Sequence, residues 1–493
     1  MPTLLLNQKN APPGLLTLVI IVGFCLYLIS INNVYANNLP NLGSSDLIEY
    51  TQEKEQALGR AFKNALHSEH HTLSDPDISS YIQRIGHKIA QQSGDHRNFS
   101  FYVIQHPDIN AFAGPDGVIG IHTGLIRAVN SEDELASVVA HEIAHVTQNH
   151  LSRTYELRSG SSLTHLASFI AAILIGMHDS SAGMATLMGG MGASMQQQLK
   201  YSRTHESEAD YAGIEYLYKS GYSPFAMSDF FGRLSLEYQN REFKPTEILS
   251  THPVTERRLA ESKSRAESYP PLIMKIDNES LTLIKLKLQA ISQQKDETLR
   301  PATLTLEEQC YRQALETLNS NSNNIQESTQ CLRKAIKNNP QQRLYPSLLF
   351  DLYLNANETQ TNRTFENWIK EAKFAHELFP QDPAIFQKYM RILIKDKQTS
   401  TAIEALEKET PNYTYQFELY KLLSSLYAQS GQTAYAYYFE ALAHFNIGNL
   451  QRTQIYLNKA NEQSNPKDIR LQGKIRDFKR THANLLKEKN KKD

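Results

Sequence analysis

The pentapeptide His141-Glu142-Ile143-Ala144-His145 constrains this chain more than any other feature. It lies inside ELASVVAHEIAHVTQNHL, an apolar-rich run opened by Ser131-Glu132-Asp133-Glu134. A capping serine followed by acidic residues predicts a helix from that point. On a helix, positions i and i+4 stand one turn apart on one face, so the two imidazoles point the same way. Two such nitrogens can bind one Zn²⁺ at about 2.0–2.1 Å each. The glutamate between them is then placed to take a proton from water, which zinc brings to a pKa of about 7. Two ordinary core histidines are the alternative reading of this spacing. Three further features argue against it.

A catalytic zinc needs a third protein ligand. In the metzincin pattern, glycine at 148 and histidine at 151 would supply it from the same segment, but the chain has Gln148 and Leu151. Glu206, in RTHESEADYAGIEYLYKSG, offers a carboxylate from a later predicted helix that starts near Tyr201. Asp210 follows one turn later on the same face and can accept a hydrogen bond from the outer nitrogen of a ligand histidine. Glu208 lies about 200° around the helix from Glu206 and faces elsewhere. Ahead of the pentapeptide, Phe99–Gln105 reads as a strand. Asn110–Ile126 reads as two strands around a Gly-Pro-Asp-Gly turn. The second of these, GVIGIHTGLI, is expected to serve as an edge against which an extended peptide can pair. Residues 46–94 read as two helices.

HEIAHVTQNH, RTHESEAD and STHPVTERRL together resemble the M48 family of zinc peptidases, of the gluzincin type, over about residues 45–265. The resemblance implies a zincin-type α+β metalloprotease domain with a small sheet, in a chain that is mainly α. It implies one Zn²⁺ per chain, with His141, His145 and Glu206 as ligands and Glu142 as general base. Asp210 matches the acid behind a ligand, and His252 and Arg258 match downstream positions near the site. Either of these two could stabilise the oxyanion of the tetrahedral intermediate. His252 could instead fill the fourth zinc position and hold the enzyme latent. A loop histidine that merely caps a helix before Pro253 is the plainer alternative.

The flanking segments read differently. Lys9 precedes the apolar run Gly14–Ile31, and Val34-Tyr35-Ala36 follows it. That is the layout of a secretory signal peptide cleaved after Ala36, with a retained anchor as the alternative. Phe24 before Cys25 argues against lipidation. Export makes Cys310 and Cys331 a candidate disulfide, against two buried thiols. Residues 162–198 are rich in Met and Gly. They suit either a buried helical hairpin or an adaptable surface that touches substrate or the membrane periphery. The cluster His67, His70 and His71 reads as a solvated helix end. From residue 306 onward the chain is helix after helix, and Ala335/Pro340, Ala375/Pro380, Ala405/Pro411 and Ala460/Pro466 recur like degenerate tetratricopeptide repeats.

The expected organisation is a signal peptide at 1–36, the metalloprotease domain at 37–270, a helical connection at 271–305 and the repeat domain at 306–493. With 51 basic and 52 acidic residues, nothing points to nucleic acid. This layout resembles the M48 members of the Gram-negative periplasm that act on outer-membrane barrel proteins and associate with the barrel assembly machinery. The implied function is a periplasmic zinc metalloendopeptidase that degrades misassembled outer-membrane proteins and, through its repeats, assists others to assemble. A chaperone or scaffold with a normally latent zinc site is the alternative.

Overall fold

Capping chemistry sets where the helices that carry the site begin. The computed structural model describes residues 51–68, 72–156, 195–239, 247–272, 278–292, 304–320, 324–357 and 367–487. The segment at 1–36 expected to be a signal peptide, most of the Met- and Gly-rich run at 162–198, and His70 and His71 lie outside the described residues. Among the described residues no helix is long and apolar enough to cross a membrane.

Helix α1 spans Gln52–Ser68 and α2 spans Pro76–Ala90. Asp75 caps α2 by accepting from the backbone N–H groups of Asp77 and Ile78 at 3.0 Å each, and Pro76 fills the first turn where no N–H is needed. Three short strands follow: β1 (Ser100–Ile104), β2 (Ala111–Ala113) and β3 (Val118–His122). Their order is β1-β3-β2, with β1 parallel and β2 antiparallel to β3. The strand expected over 117–126 therefore ends at His122, and Thr123–Ala128 is helix α3. The N–H of Gly124 and the hydroxyl of Thr123 both donate to the His106 carbonyl. A Cβ on Gly124 would lie 2.0 Å from the Pro107 carbonyl oxygen, so glycine is required where the chain turns into the helix. Strand β3 is buried at every residue and has a pairing partner on each side, β1 and β2. The edges of this sheet are therefore β1, whose outer side meets Thr72 and Leu73, and β2, but not β3. Alternation reports which faces are buried. It does not report which strand has a neighbour on both sides.

Helix α4 (Glu132–Thr147) carries the pentapeptide. Ser131 Oγ accepts from the Glu134 N–H at 3.1 Å, and a Glu134 carboxylate oxygen accepts from the Asn130 N–H at 2.7 Å. Helix α4 is buried almost all round, against β2, α2 and the long helix that comes after it. The site's remaining elements are α5 (His150–Glu156), α6 (Met195–Lys219), α7 (Ala226–Gln239), α8 (Glu247–Thr251) and α9 (Glu256–Glu267).

Beyond Pro270-Pro271 the described chain is entirely helical. It begins with α10 (Glu279–Ser292), α11 (Leu306–Ser320), α12 (Ile325–Asn338), α13 (Leu344–Asn355), α14 (Trp368–Leu378) and α15 (Pro383–Lys395). One apolar core runs from Ile78 of α2 through Leu281 and Tyr311 to Ile392, so the helical region shares the interior of the sheet-bearing part. A polar knot joins the two as well. Asp77, fully buried on α2, accepts from Lys287 of α10, Ser347 of α13 and Lys388 of α15. Later helices α16 (Thr399–Glu409), α17 (Phe417–Gln429), α18 (Thr433–Asn446) and α19 (Leu450–Gln463) pack each on the next around a second core. Gly448, at the turn between α18 and α19, has φ 78°, and a Cβ there would lie 2.4 Å from the Arg60 carbonyl oxygen of α1. His67 adds to this junction, with Nε2 2.9 Å from the Tyr415 hydroxyl.

Cys310 and Cys331 form a disulfide between α11 and α12, with their Cα atoms 5.3 Å apart. A closed loop of 21 residues' separation constrains the unfolded chain by about 3 kcal/mol. Reducing the bond, or replacing both cysteines by serine, is expected to lower the urea midpoint correspondingly. An unchanged midpoint would mean the bridge adds nothing to this fold.

Candidate metal centre

The i, i+4 geometry of α4 aims His141 and His145 at one point. Helix α6 delivers Glu206 to the same point. The turn after α8 delivers His252, whose backbone N–H closes the last bond of that helix on Ile248 O at 2.8 Å. Side-chain atoms of His141, His145, Glu206 and His252 all fall within 4.8 Å of one another. His141 Nε2 is 3.0 Å from His145 Nε2, 3.2 Å from His252 Nδ1 and 3.3 Å from Glu206 Oε2. His145 Nε2 is 3.4 Å from Glu206 Oε1, and His252 Nδ1 is 3.1 Å from Glu206 Oε2.

This donor set fits a zinc ion. Atoms bound tetrahedrally at about 2.0–2.1 Å from one ion stand about 3.3 Å apart, which is close to the spacing observed. The outer nitrogens of both pentapeptide histidines are engaged away from the cluster. His141 Nδ1 lies 2.9 Å from Asp210 Oδ1, and His145 Nδ1 lies 2.9 Å from His150 Nδ1. A ring that donates outward presents a lone pair inward, and lone pairs turned on a carboxylate call for a cation between them.

The carboxylates favour positive charge at this point. Burial works against charge on His141, but Asp210 and Glu206 outweigh it and push its pKa up to about 10. Burial also opposes charge on Glu206, yet His252 and His145 hold its carboxyl well below the usual range. His145 is driven well below the usual histidine value, chiefly by burial. Glu142 does not join the cluster. It is buried beside it, 3.5 Å from His252 Nε2, and burial raises its pKa. The backbone of Ala113, on β2, faces the Glu142 carboxylate. Glu142 and the sheet edge therefore share one side of the site.

Arg258 of α9 is committed to bracing. Its Nε and one terminal nitrogen donate to the two oxygens of Asp210 at 2.7 and 2.8 Å. Its other terminal nitrogen donates to the Pro253 carbonyl at 2.8 Å and lies 3.1 Å from Glu206 Oε2. One guanidinium thus ties together α6, the turn bearing His252, and the acid behind His141. Glu208 points away from the cluster and pairs with His150 and Arg153. Sequence reasoning assigned no role to His150, although it stands five residues after His145 in HVTQNH.

Residues 76–266 match Peptidase family M48. The chain is 37% identical over 266 residues to a putative beta-barrel assembly-enhancing protease of Vibrio cholerae, covering 54% of each chain. It is 34% identical over 253 residues to the beta-barrel assembly-enhancing protease of Escherichia coli, covering 51% of this chain and 52% of that one. It is also 32% identical over 166 residues to the mitochondrial metalloendopeptidase OMA1 of Bos taurus, covering 32% of this chain and 30% of the other. The match thus spans about half the length of the bacterial relatives.

Proposed function

Because residues 76–266 form a Peptidase family M48 domain, we propose that this chain is a zinc metalloendopeptidase that cleaves misassembled outer-membrane proteins. The observation that carries the catalytic part is the convergence of His141, His145 and Glu206 on one point, with Glu142 beside it and outside it. Zinc, when bound, supplies a Lewis acid for the scissile carbonyl and makes water acidic enough to ionise near neutral pH. Glu142 takes the proton from the attacking water and returns it to the leaving amine. Asp210 holds His141 with its lone pair inward, and Arg258 holds Asp210. The substrate lies extended along β2, where main-chain pairing reads no particular sequence.

Support for the substrate class comes from the names of the Vibrio and Escherichia relatives, which refer to barrel assembly. On this reading the protein works in the periplasm. The helices from residue 306 onward act as tetratricopeptide repeats that engage client proteins and the barrel assembly machinery. The decisive test is cleavage of an unfolded model protein by the full chain. Stripping zinc with a chelator should stop cleavage, and zinc alone should restore it. Cleavage that survives chelation would overturn the proposal.

A second reading concerns the resting state. His252 Nδ1 stands among the ligand atoms, 3.2 Å from His141 Nε2, as a fourth ligand would. This favours a site that is closed at rest and opens when the turn bearing His252 moves. His252→Ala is then expected to speed cleavage about tenfold, since losing one contact of roughly 1–2 kcal/mol changes a rate by that much. A slower variant would instead assign His252 to the oxyanion.

A further inference from the structure

We infer that His150 is a positioning residue: with Glu208 it sets the tautomer of His145 and so tunes how tightly the chain holds its metal. The inference rests on the zinc reading above but concerns residues that reading does not use. His145 Nε2 faces the cluster, which leaves Nδ1 for an outer partner. That partner is His150 Nδ1, at 2.9 Å. Two imidazole nitrogens form a hydrogen bond only when one donates and the other accepts. Geometry alone would allow either direction, and the far end of the chain of contacts decides it. His150 Nε2 lies 3.0 Å from Glu208 Oε2, and a carboxylate engaged by Arg153 can only accept. His150 therefore carries its hydrogen on Nε2. Its Nδ1 is the acceptor, His145 Nδ1 must donate, and the lone pair of His145 Nε2 turns inward.

The fold is built to present this relay. Asn149, with φ 54°, ends α4 in the left-handed region and folds His150 back beneath His145. Arg97 donates to the Asn149 side chain at 2.8 Å and pins the turn. His150 is buried, and His205 stacks on its ring at 4.3 Å with the planes 10° apart. Helix α6 thus supplies the ligand Glu206 and the orienting acids of both pentapeptide histidines. Asp210 acts directly on His141, and Glu208 acts on His145 through one interposed imidazole.

The test is zinc affinity of the full chain by competition with a chromophoric chelator, with apo-protein unfolding measured alongside. His150→Phe keeps the ring and its stacking but offers no acceptor. It is expected to weaken zinc binding by about 10–100-fold, the usual cost of losing such an outer partner. His150→Gln can accept from His145 and donate to Glu208, so it should bind zinc nearly as tightly as the parent. Equal weakening by both variants, or none by His150→Phe, would overturn the assignment. A parent chain that holds no zinc would overturn the metal reading and this inference with it.

Discussion

Glu142→Gln is expected to lower cleavage of an unfolded protein by about 10²–10⁴-fold while the chain still binds one zinc. The amide is nearly isosteric with the carboxylate, so the packing around this buried position survives. It cannot take a proton. Glu142 is also not one of the four convergent side chains, so the donor set His141, His145 and Glu206 is untouched. The arrangement therefore predicts that binding and turnover separate in this variant. Cleavage of an unfolded model protein and zinc content should be measured on the same preparation. Cleavage at the parent rate would remove Glu142 as the base. Loss of zinc together with cleavage would show that it helps hold the ion.

The second large effect lies far from the metal centre. Asp77→Ala is expected to destabilise the protein by about 3–5 kcal/mol, the cost of removing one partner from a buried ion pair. Asp77 is fully buried between the ammonium groups of Lys287 and Lys388. Lys388 keeps Asp351 at 2.7 Å and Lys287 keeps Asp75 at 3.1 Å, but each variant lysine faces a hole where its innermost partner stood. Burial works to raise the Asp77 pKa, yet Lys287, Lys388 and Arg343 outweigh it and hold the carboxyl far below the usual range. A depressed folded-state pKa contributes stability above the unfolded value of about 3.9, and that contribution is lost as pH falls below it. Urea unfolding should therefore separate parent and variant at pH 7, and the gap should begin to narrow only below about pH 4, closing only near the far lower folded-state value. Equal midpoints at pH 7 would mean the knot is dispensable. Because it links α2 to α10, α13 and α15, the variant should also loosen the helical region from the sheet-bearing part. Limited proteolysis would detect that loosening.

Local chemistry made much of the candidate site's geometry legible. The stagger of His141 and His145 follows from helical pitch, and the spacing of Glu206 to Asp210 from the same pitch on a second helix. Glu208 points away from the cluster for the same reason. Ser131 announced the start of α4 because capping is satisfied within three residues.

What stayed hidden depends on partners distant in the chain. Strand β3 is central because β1, 18 residues earlier, runs parallel beside it, and a buried strand has the same composition whether one neighbour covers it or two. His150 gained its role only when Glu208, 58 residues later, arrived at its other nitrogen. Arg258 reaches both Asp210 and Glu206, a pairing that only the packing of α9 against α6 reveals. Cys310 and Cys331 were legible as a pair but not as a bond, since bonding requires that α11 and α12 bring their Cα atoms to 5.3 Å. By itself the sequence determined the identity and helical phase of the groups proposed to bind zinc and move a proton. Periodicity acts over one or two turns and leaves its mark residue by residue. Tertiary structure alone decided which outer partner each ligand received, which strand edge faces the site, and how the helical region is locked to it. Those outcomes depend on long-range packing, which no short window of sequence records.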